Sequence, residues 1–199
     1  MMPSHGTSPT SPERVVLGLG SNQGHRLGYL RQGLFALACH PELRVAEISR
    51  VWETEYVGPG EQEPYLNLVC RGWATLAPAA LLAVVKGLEQ RLGRAPDGHM
   101  LPRTLDVDIL IFGDRCGRDE LLTLPHPRMA ERGFVMAPLA ELAPDQVLPD
   151  SGETAASTWA RIRTEDGPWL RPLDEPLVTR DPGRDDEEEW RAALAVHCR

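Results

Sequence analysis

Lysine is almost missing from this 199-residue chain: Lys86 is the only one, and every other basic side chain is an arginine. Positive charge is scarce overall, with 21 Lys and Arg against 29 Asp and Glu and a net charge of −8. That balance argues against general nucleic-acid binding, which uses a basic face, but leaves room for a local cationic pocket. No run approaches the roughly 18 apolar residues of a membrane span. Residues 1–13 (MMPSHGTSPTSPE) lack a basic stretch followed by an apolar one, so they do not read as a secretory signal. Cysteine is sparse and scattered. Cys39, Cys70, Cys116 and Cys198 form no C-x-x-C pair, which fits a cytoplasmic protein with reduced thiols.

What is present suits one domain with a sizeable core, since 42% of the residues are hydrophobic. Residues 1–13, rich in Pro, Ser and Thr, are expected to be a disordered tail. The domain is expected to cover 14–177, and 178–199, with its acidic run DPGRDDEEE, to be a solvated tail. RVVLGL at 14–19 reads as a strand. Gly20-Ser21-Asn22-Gln23-Gly24 then breaks it, as a strand-to-helix turn rather than a phosphate-binding glycine loop. Leu27, Leu30, Leu34 and Leu37 recur at helical spacing and place a helix over 25–39. Residues 44–57, rich in β-branched and aromatic side chains, predict one long strand, and 65–75 a second paired with it. Pro78 opens a helix whose buried stripe is Leu81, Val85, Leu88 and Leu92, and Gly93 closes it. The order β-α-β-β-α-β is the split βαβ of ferredoxin-like α+β folds, an antiparallel sheet with both helices on one face and the other free for a ligand. FVMAPLAELAP, from Phe134, is expected to pack on the core as a helix or strand.

The chemistry gathers in GRAPDGHMLPRTLDVDILIF, residues 93–112. Successive strand side chains point to opposite faces, so Asp106 and Asp108 share one, with Cα atoms roughly 6.6 Å apart. Leu105, Val107, Ile109 and Ile111 then take the core face. Two carboxylates on a rigid strand suit Mg²⁺, and without a cation they repel and raise one pKa. A D-x-D alone is also compatible with an ordinary half-exposed strand. Arg94 and Arg103 beside it supply what phosphoryl transfer needs, guanidinium groups that hold phosphate oxygens. Asn67 can donate and accept, as the edge of a heterocycle requires, though such a residue also caps loops. His126, between two prolines and near Arg132, can reach phosphate or be plain surface. Glu89, taken alone, reads as solvated.

Together these motifs resemble the 6-hydroxymethyl-7,8-dihydropterin pyrophosphokinases of the folate pathway. The resemblance spans about 15–149. LGLGSNQG, Tyr65-Leu66-Asn67, Glu89 with Gly93-Arg94, PRTLDVDI from Pro102, Leu124-Pro125-His126 and Arg132-Gly133-Phe134 carry it in order. It implies a ferredoxin-like sandwich and transfer of the β,γ-diphosphate of ATP to the pterin hydroxymethyl group, releasing AMP. It implies two Mg²⁺ ions on Asp106 and Asp108, with Arg94 and Arg103 as catalytic charge stabilisers. The pterin would meet Tyr65, Asn67, Met100 and Phe134, and the main chain of Val57 and Gly58. ATP phosphates would meet His126 and Arg132. Glu89 and the side chains of Ile109, Leu122 and Thr123 would lie near the nucleoside. The expected partners are those two small molecules, with no nucleic acid or membrane, on a cytoplasmic monomer.

Some positions depart from the family pattern. A tryptophan and a glycine usually precede the Pro-Arg pair, where this chain has Met100 and Leu101. The loop APDGHMLP has fewer basic residues than is common. Lys86 replaces a glutamine, Pro127 a tyrosine and Leu121 an arginine. The same reaction with altered kinetics is therefore expected, with the difference lying in loop closure.

Overall fold

β1 (Glu13–Ser21) lies between β5 (Asp106–Phe112) and β4 (Tyr65–Ala74), antiparallel to both, and the site is built at the end of these three strands. The computed structural model describes residues 11–94, 101–164, 167–174 and 177. In chain order the remaining elements are α1 (Arg26–Ala38), β2 (Leu43–Ile48), β3 (Trp52–Thr54), α2 (Pro78–Arg91), β6 (Gly117–Arg118), β7 (Thr123–Leu124), α3 (Gly133–Leu142), α4 (Ala155–Ile162) and β8 (Leu170–Pro172). The main sheet runs β5-β1-β4-β3-β8 with β2 also on β4, an antiparallel sheet of six strands. This is the expected α+β ferredoxin-like arrangement. β1 starts at Glu13, inside the stretch expected to be tail, because Glu13 pairs with Ala74 and its carboxylate holds Arg115. The acidic stretch 178–199 lies outside the described residues.

The leucine repeats decide which face the first two helices take. Leu30, Leu34 and Leu37 of α1 and Leu81, Val85 and Leu88 of α2 are buried against Leu17, Leu19, Leu105, Val107 and Ile109. Each fully buried side chain of this size contributes roughly 1.5–3 kcal/mol. The opposite face is not left wholly free, as the sequence suggested. α3 and α4 cover much of it, packing Val135, Met136 and Leu139 on Val16, Val69 and Leu110. Only the end of that face bearing Gly20, Asn67 and Asp106 opens to a cleft.

Two sequence expectations fail for stated reasons. The strand expected over 44–57 is two strands. Ser49 interrupts it: its N–H donates to the Val69 carbonyl at 2.9 Å, while its Oγ accepts the Val69 N–H at 3.0 Å. The side chain thus occupies a ladder position that backbone would fill. A register shift between Val45 and Glu47 adds to the bend, and Gly72 fits there because a Cβ would fall 1.8 Å from the Arg44 carbonyl oxygen. The second failure is Ile111. A register shift on the β1–β5 ladder passes over Leu110, so Leu110 and Ile111 both join the α3 side and Phe112 returns to the helix side. Strict alternation holds through Leu110 and breaks at Ile111.

β8 lies along β3, and Arg171 reaches Glu53 at 2.6 Å. Arg26, at the start of α1, reaches the same carboxylate at 3.0 Å and the Pro64 carbonyl at 2.7 Å. Glu53 is 8% exposed. Its pKa is lowered, chiefly by the Arg171 hydrogen bond and with help from Arg26, against the opposing effect of burial. A carboxylate depressed on folding stabilises above its unfolded pKa of about 4.3, and that stability is lost as pH falls through the lower folded value. Glu53→Gln is expected to lose about 1–3 kcal/mol at pH 7. In urea unfolding the deficit should shrink towards acid pH; a deficit equal at all pH would remove the ionic contribution.

Candidate active site

α2 ends in a way that aims the first arginine. Gly93 has φ +95°, and its N–H donates to the Gln90 carbonyl at 3.1 Å while the Arg94 N–H donates to the Glu89 carbonyl at 3.0 Å. That double closure is the Schellman motif, which needs the left-handed residue glycine supplies. It turns Arg94 back over its own helix. The Arg94 guanidinium then contacts the Glu89 carboxylate and donates to Asp106 Oδ1 at 2.7 Å.

Glu89 is not solvated. It is 1% exposed and also accepts the Val107 N–H at 2.8 Å and Lys86 Nζ at 2.9 Å. Thus a buried carboxylate on α2 fixes both Arg94 and the edge of β5. Nothing in its spacing alone signals this, because the N–H it accepts lies on a strand distant in sequence.

Arg103 is placed by the Gly20–Gly24 turn. Asn22 is 2% exposed; its N–H donates to the Arg103 carbonyl at 3.0 Å, and its Oδ1 accepts the Arg103 N–H at 2.7 Å. Its Nδ2 donates to Gln62 Oε1 at 2.9 Å, tying in the loop before β4. The turn is a strand-to-helix connection, as expected, yet Asn22 gives it a positioning role that sequence reasoning missed. The Arg103 guanidinium donates to Asp106 Oδ2 at 2.6 Å, and its buried Nε has no hydrogen-bond partner among the described residues. Burial would lower the Arg103 pKa, but the charge and hydrogen bond of Asp106 outweigh it and the pKa is raised.

Asp106 therefore holds two arginines, and Asp108 faces a different set. Asp108 Oδ2 lies 3.6 Å from Arg132 and 3.9 Å from His126 Nε2. Burial and then the Asp106 charge raise the Asp108 pKa, the effect expected of neighbouring carboxylates without a cation. His126 Nδ1 accepts the Arg128 N–H at 3.2 Å, which leaves the proton of the neutral ring on Nε2. Burial lowers the His126 pKa; Asp108 opposes this, while the charges of Arg132 and Arg128 add to the lowering. A neutral imidazole with its N–H toward Asp108 can donate to an anion there.

Gly18 and Gly20 of β1, Asn67 and Tyr65 of β4, Asp106 and Asp108 of β5, Arg132 and Phe134 line a cleft of about 190 Å³. Asn67, 6% exposed, donates to Thr54 Oγ1 at 2.8 Å. A Cβ on Gly20 would sit 2.9 Å from Asn67 Oδ1, so glycine keeps room for the amide. Tyr56 and Tyr65 stack with ring centroids 6.3 Å apart, and Arg132 lies 5.4 Å from the Phe134 ring centroid. Burial raises the Tyr65 pKa, so its phenol stays protonated at neutral pH. One end of the cleft is thus aromatic with an amide, the other cationic around two carboxylates.

Residues 16–144 match the family model described as 7,8-dihydro-6-hydroxymethylpterin-pyrophosphokinase. The chain belongs to this family. The 2-amino-4-hydroxy-6-hydroxymethyldihydropteridine pyrophosphokinase of Bacillus subtilis is 42% identical over 64% of this chain and 77% of its own length. That of Methylorubrum extorquens is 38% identical over 75% of this chain and 93% of its own. A crystal structure of Plasmodium falciparum HPPK-DHPS superposes with a TM-score of 0.61 at 12% identity, covering 78% of this chain but 45% of that longer one, and it speaks for the fold. Membership makes the chain a pyrophosphokinase, a transferase of folate biosynthesis. Among the described residues no helix is long and apolar enough to cross a membrane.

The cleft and its surroundings bring together most of the residues singled out by sequence. Arg94, Arg103, Asp106, Asp108, His126 and Arg132 converge, and Tyr65, Asn67, Val57 and Phe134 line the cleft or its rim. Gly58 is exposed just beyond Val57. Met100 lies outside the described residues. Ile109 is 3% exposed in the helix-side core, against which Leu122 also packs. Leu122 and Thr123 run beside β5 in the segment whose His126 N–H donates to the Leu110 carbonyl at 2.9 Å. Tyr56, Thr54 and Arg128 also line the cleft and were not foreseen.

The donor set also fits the expected metal. No group of three or more His, Cys, Asp or Glu able to hold an ion occurs among the described residues. Mg²⁺ does not require one, since it is commonly bound by one or two carboxylates plus substrate phosphates. Asp106 and Asp108 supply two such carboxylates on one face of β5, and the unpaired Arg103 Nε–H is a donor suited to a phosphate oxygen.

Proposed function

We propose that this chain transfers the β,γ-diphosphate of ATP to the hydroxymethyl group of 6-hydroxymethyl-7,8-dihydropterin, releasing AMP. The observation that carries this reading is the two-ended cleft. A flat heterocycle with a polar edge suits Tyr65, Asn67 and Phe134, and a polyphosphate suits the arginines around Asp106 and Asp108. Asp106 and Asp108 would hold Mg²⁺, which would supply positive charge that lowers the repulsion between the phosphates and the incoming alcohol.

In this reading Arg94 and Arg103, held at fixed angles by Glu89, Asn22 and Asp106, face the charge that builds on the transferred group. Because the protein holds these charges in place before reaction, little reorganisation is needed as the bond to AMP breaks. His126 and Arg132 bind phosphate oxygens. Val57 and Gly58 offer main chain to the pterin. The nucleoside lies along the outer edge of β5, near the Ile109 main chain, Leu122 and Thr123. Glu89 serves the nucleotide through Arg94. All these groups come from one chain, so a cytoplasmic monomer suffices, with two Mg²⁺ ions completing the site.

Incubation with ATP, Mg²⁺ and the pterin, followed by separation of nucleotides, tests the reading. AMP should form only when the pterin is present. ATP binding without AMP would favour a pocket that binds but does not turn over.

Asn67 provides a second test. Asn67→Ala should raise the pterin KM about 10–100-fold, the equivalent of losing hydrogen bonds worth roughly 1–3 kcal/mol. The ATP KM should stay put. An unchanged pterin KM would remove Asn67 from recognition.

A further inference from the structure

Two charged residues lining the cleft, Glu55 and Arg128, have no part in the assignments above, and only Arg128 adds to its positive charge. Arg128 lines the cleft together with Arg103 and Arg132. Its backbone is fixed: the N–H donates to His126 Nδ1 at 3.2 Å, the carbonyl accepts from the Glu131 N–H at 3.3 Å, and the next residue, Met129, is 2% exposed. Its guanidinium is held loosely. It meets Glu131 at 3.9 Å, with the two side chains 66% and 72% exposed. An exposed pair of this kind contributes about 0–1 kcal/mol. Arg94 and Arg103 differ, each 19% exposed and hydrogen-bonded to Asp106.

A fixed backbone carrying a loosely held cation at the rim of a cationic cleft suits a ligand that arrives with negative charge. Arg128 and Arg132 line the same cavity; Arg132 lies 3.6 Å from Asp108, and the Arg128 guanidinium meets only the exposed Glu131 among the described residues. Added negative charge there gains from both. An arginine fork can also leave a weak surface carboxylate for a phosphate group, which accepts two parallel hydrogen bonds.

We infer that Arg128 is a further phosphate-binding residue, which leaves Glu131 to hold a polyphosphate oxygen of the nucleotide on the His126–Arg132 side of the cleft. The inference rests on the proposed function, since it takes the polyphosphate to lie there. It assigns Arg128 to the nucleotide and not to the pterin, whose aromatic and amide contacts lie on β4 and Phe134.

The test uses the full chain with Arg128→Ala, Arg128→Lys and Glu131→Ala. Two readouts are needed: steady-state KM values, and the Kd of a non-hydrolysable ATP analogue with Mg²⁺. Arg128→Ala should raise both the ATP KM and the analogue Kd about tenfold, as loss of a charge-assisted contact predicts. The pterin KM should not move. Arg128→Lys should recover part of the loss, because lysine keeps the charge but not the fork. Glu131→Ala should leave binding equal or tighter. An unchanged ATP KM and analogue Kd in Arg128→Ala, with the unmodified protein making AMP, would overturn this inference alone. Absence of AMP from the unmodified protein would overturn the proposed reaction, and the analogue Kd would still decide Arg128. A rise confined to the pterin KM would also sink the assignment.

Discussion

Asp108→Asn should lower kcat by about 10²–10³-fold or more while leaving the metal-free fold as stable as before, or slightly more so. The activity estimate follows from removing one fixed charge that organises the transition state. The stability half follows from the geometry. The Asp108 carboxylate makes no hydrogen bond among the described residues, only ion contacts at 3.6 and 3.9 Å. Its pKa is raised, first by burial and then by Asp106. A carboxylate raised on folding stabilises the fold when protonated, and that contribution is lost as pH rises through the folded pKa. At neutral pH its charge therefore works against the fold, and an amide removes the penalty. Thermal unfolding without metal beside a kcat measurement separates the two effects. A large drop in stability with normal turnover would show that Asp108 serves structure instead of chemistry.

Glu89→Ala should behave in the opposite way, losing both stability and turnover. The substitution strands the Val107 N–H, releases Lys86 and leaves Arg94 anchored by Asp106 alone. Breaking a buried ion pair costs about 3–5 kcal/mol, and leaving an amide unpaired adds to it. Turnover should fall because Arg94 is freed on one side. Glu89→Gln can keep a hydrogen bond to Val107 but not the charge on Arg94, so it should recover stability better than activity. Urea unfolding and kcat on both variants check this. Equal recovery of both quantities would mean that the charge on Glu89 does not position Arg94.

These contrasts show what the sequence could and could not convey. Period and punctuation were readable: the leucines of α1, Pro78 and Gly93 bounding α2, and the alternation through Asp106 and Asp108. Each depends on residues close in the chain. Features that depended on distant partners were not readable. Ser49 splits a strand because Val69 stands opposite, and the shift at Leu110 turns Ile111 because of its register with β1. Glu89 reads as surface until β5 supplies the N–H it accepts. Asn22 reads as a turn residue until Arg103 is found bonded to it twice. In the site, the chemical groups were legible, since Asp, Arg and His announce themselves. The residues that hold those groups at fixed angles were not.

The same distinction bears on the departures around Met100. A positioned pair of arginines can retain its chemistry even where the neighbouring loop carries fewer cations.

The central claim is that the alcohol attacks the β-phosphorus, so that two phosphates move together. ATP carrying label in its β-phosphate tests this most directly, with Mg²⁺ and the pterin present and products separated after a single turnover. All transferred label should appear on the pterin product, with unlabelled AMP. Label retained on the nucleotide as ADP would mean that only the γ-phosphoryl group moves, and would contradict it.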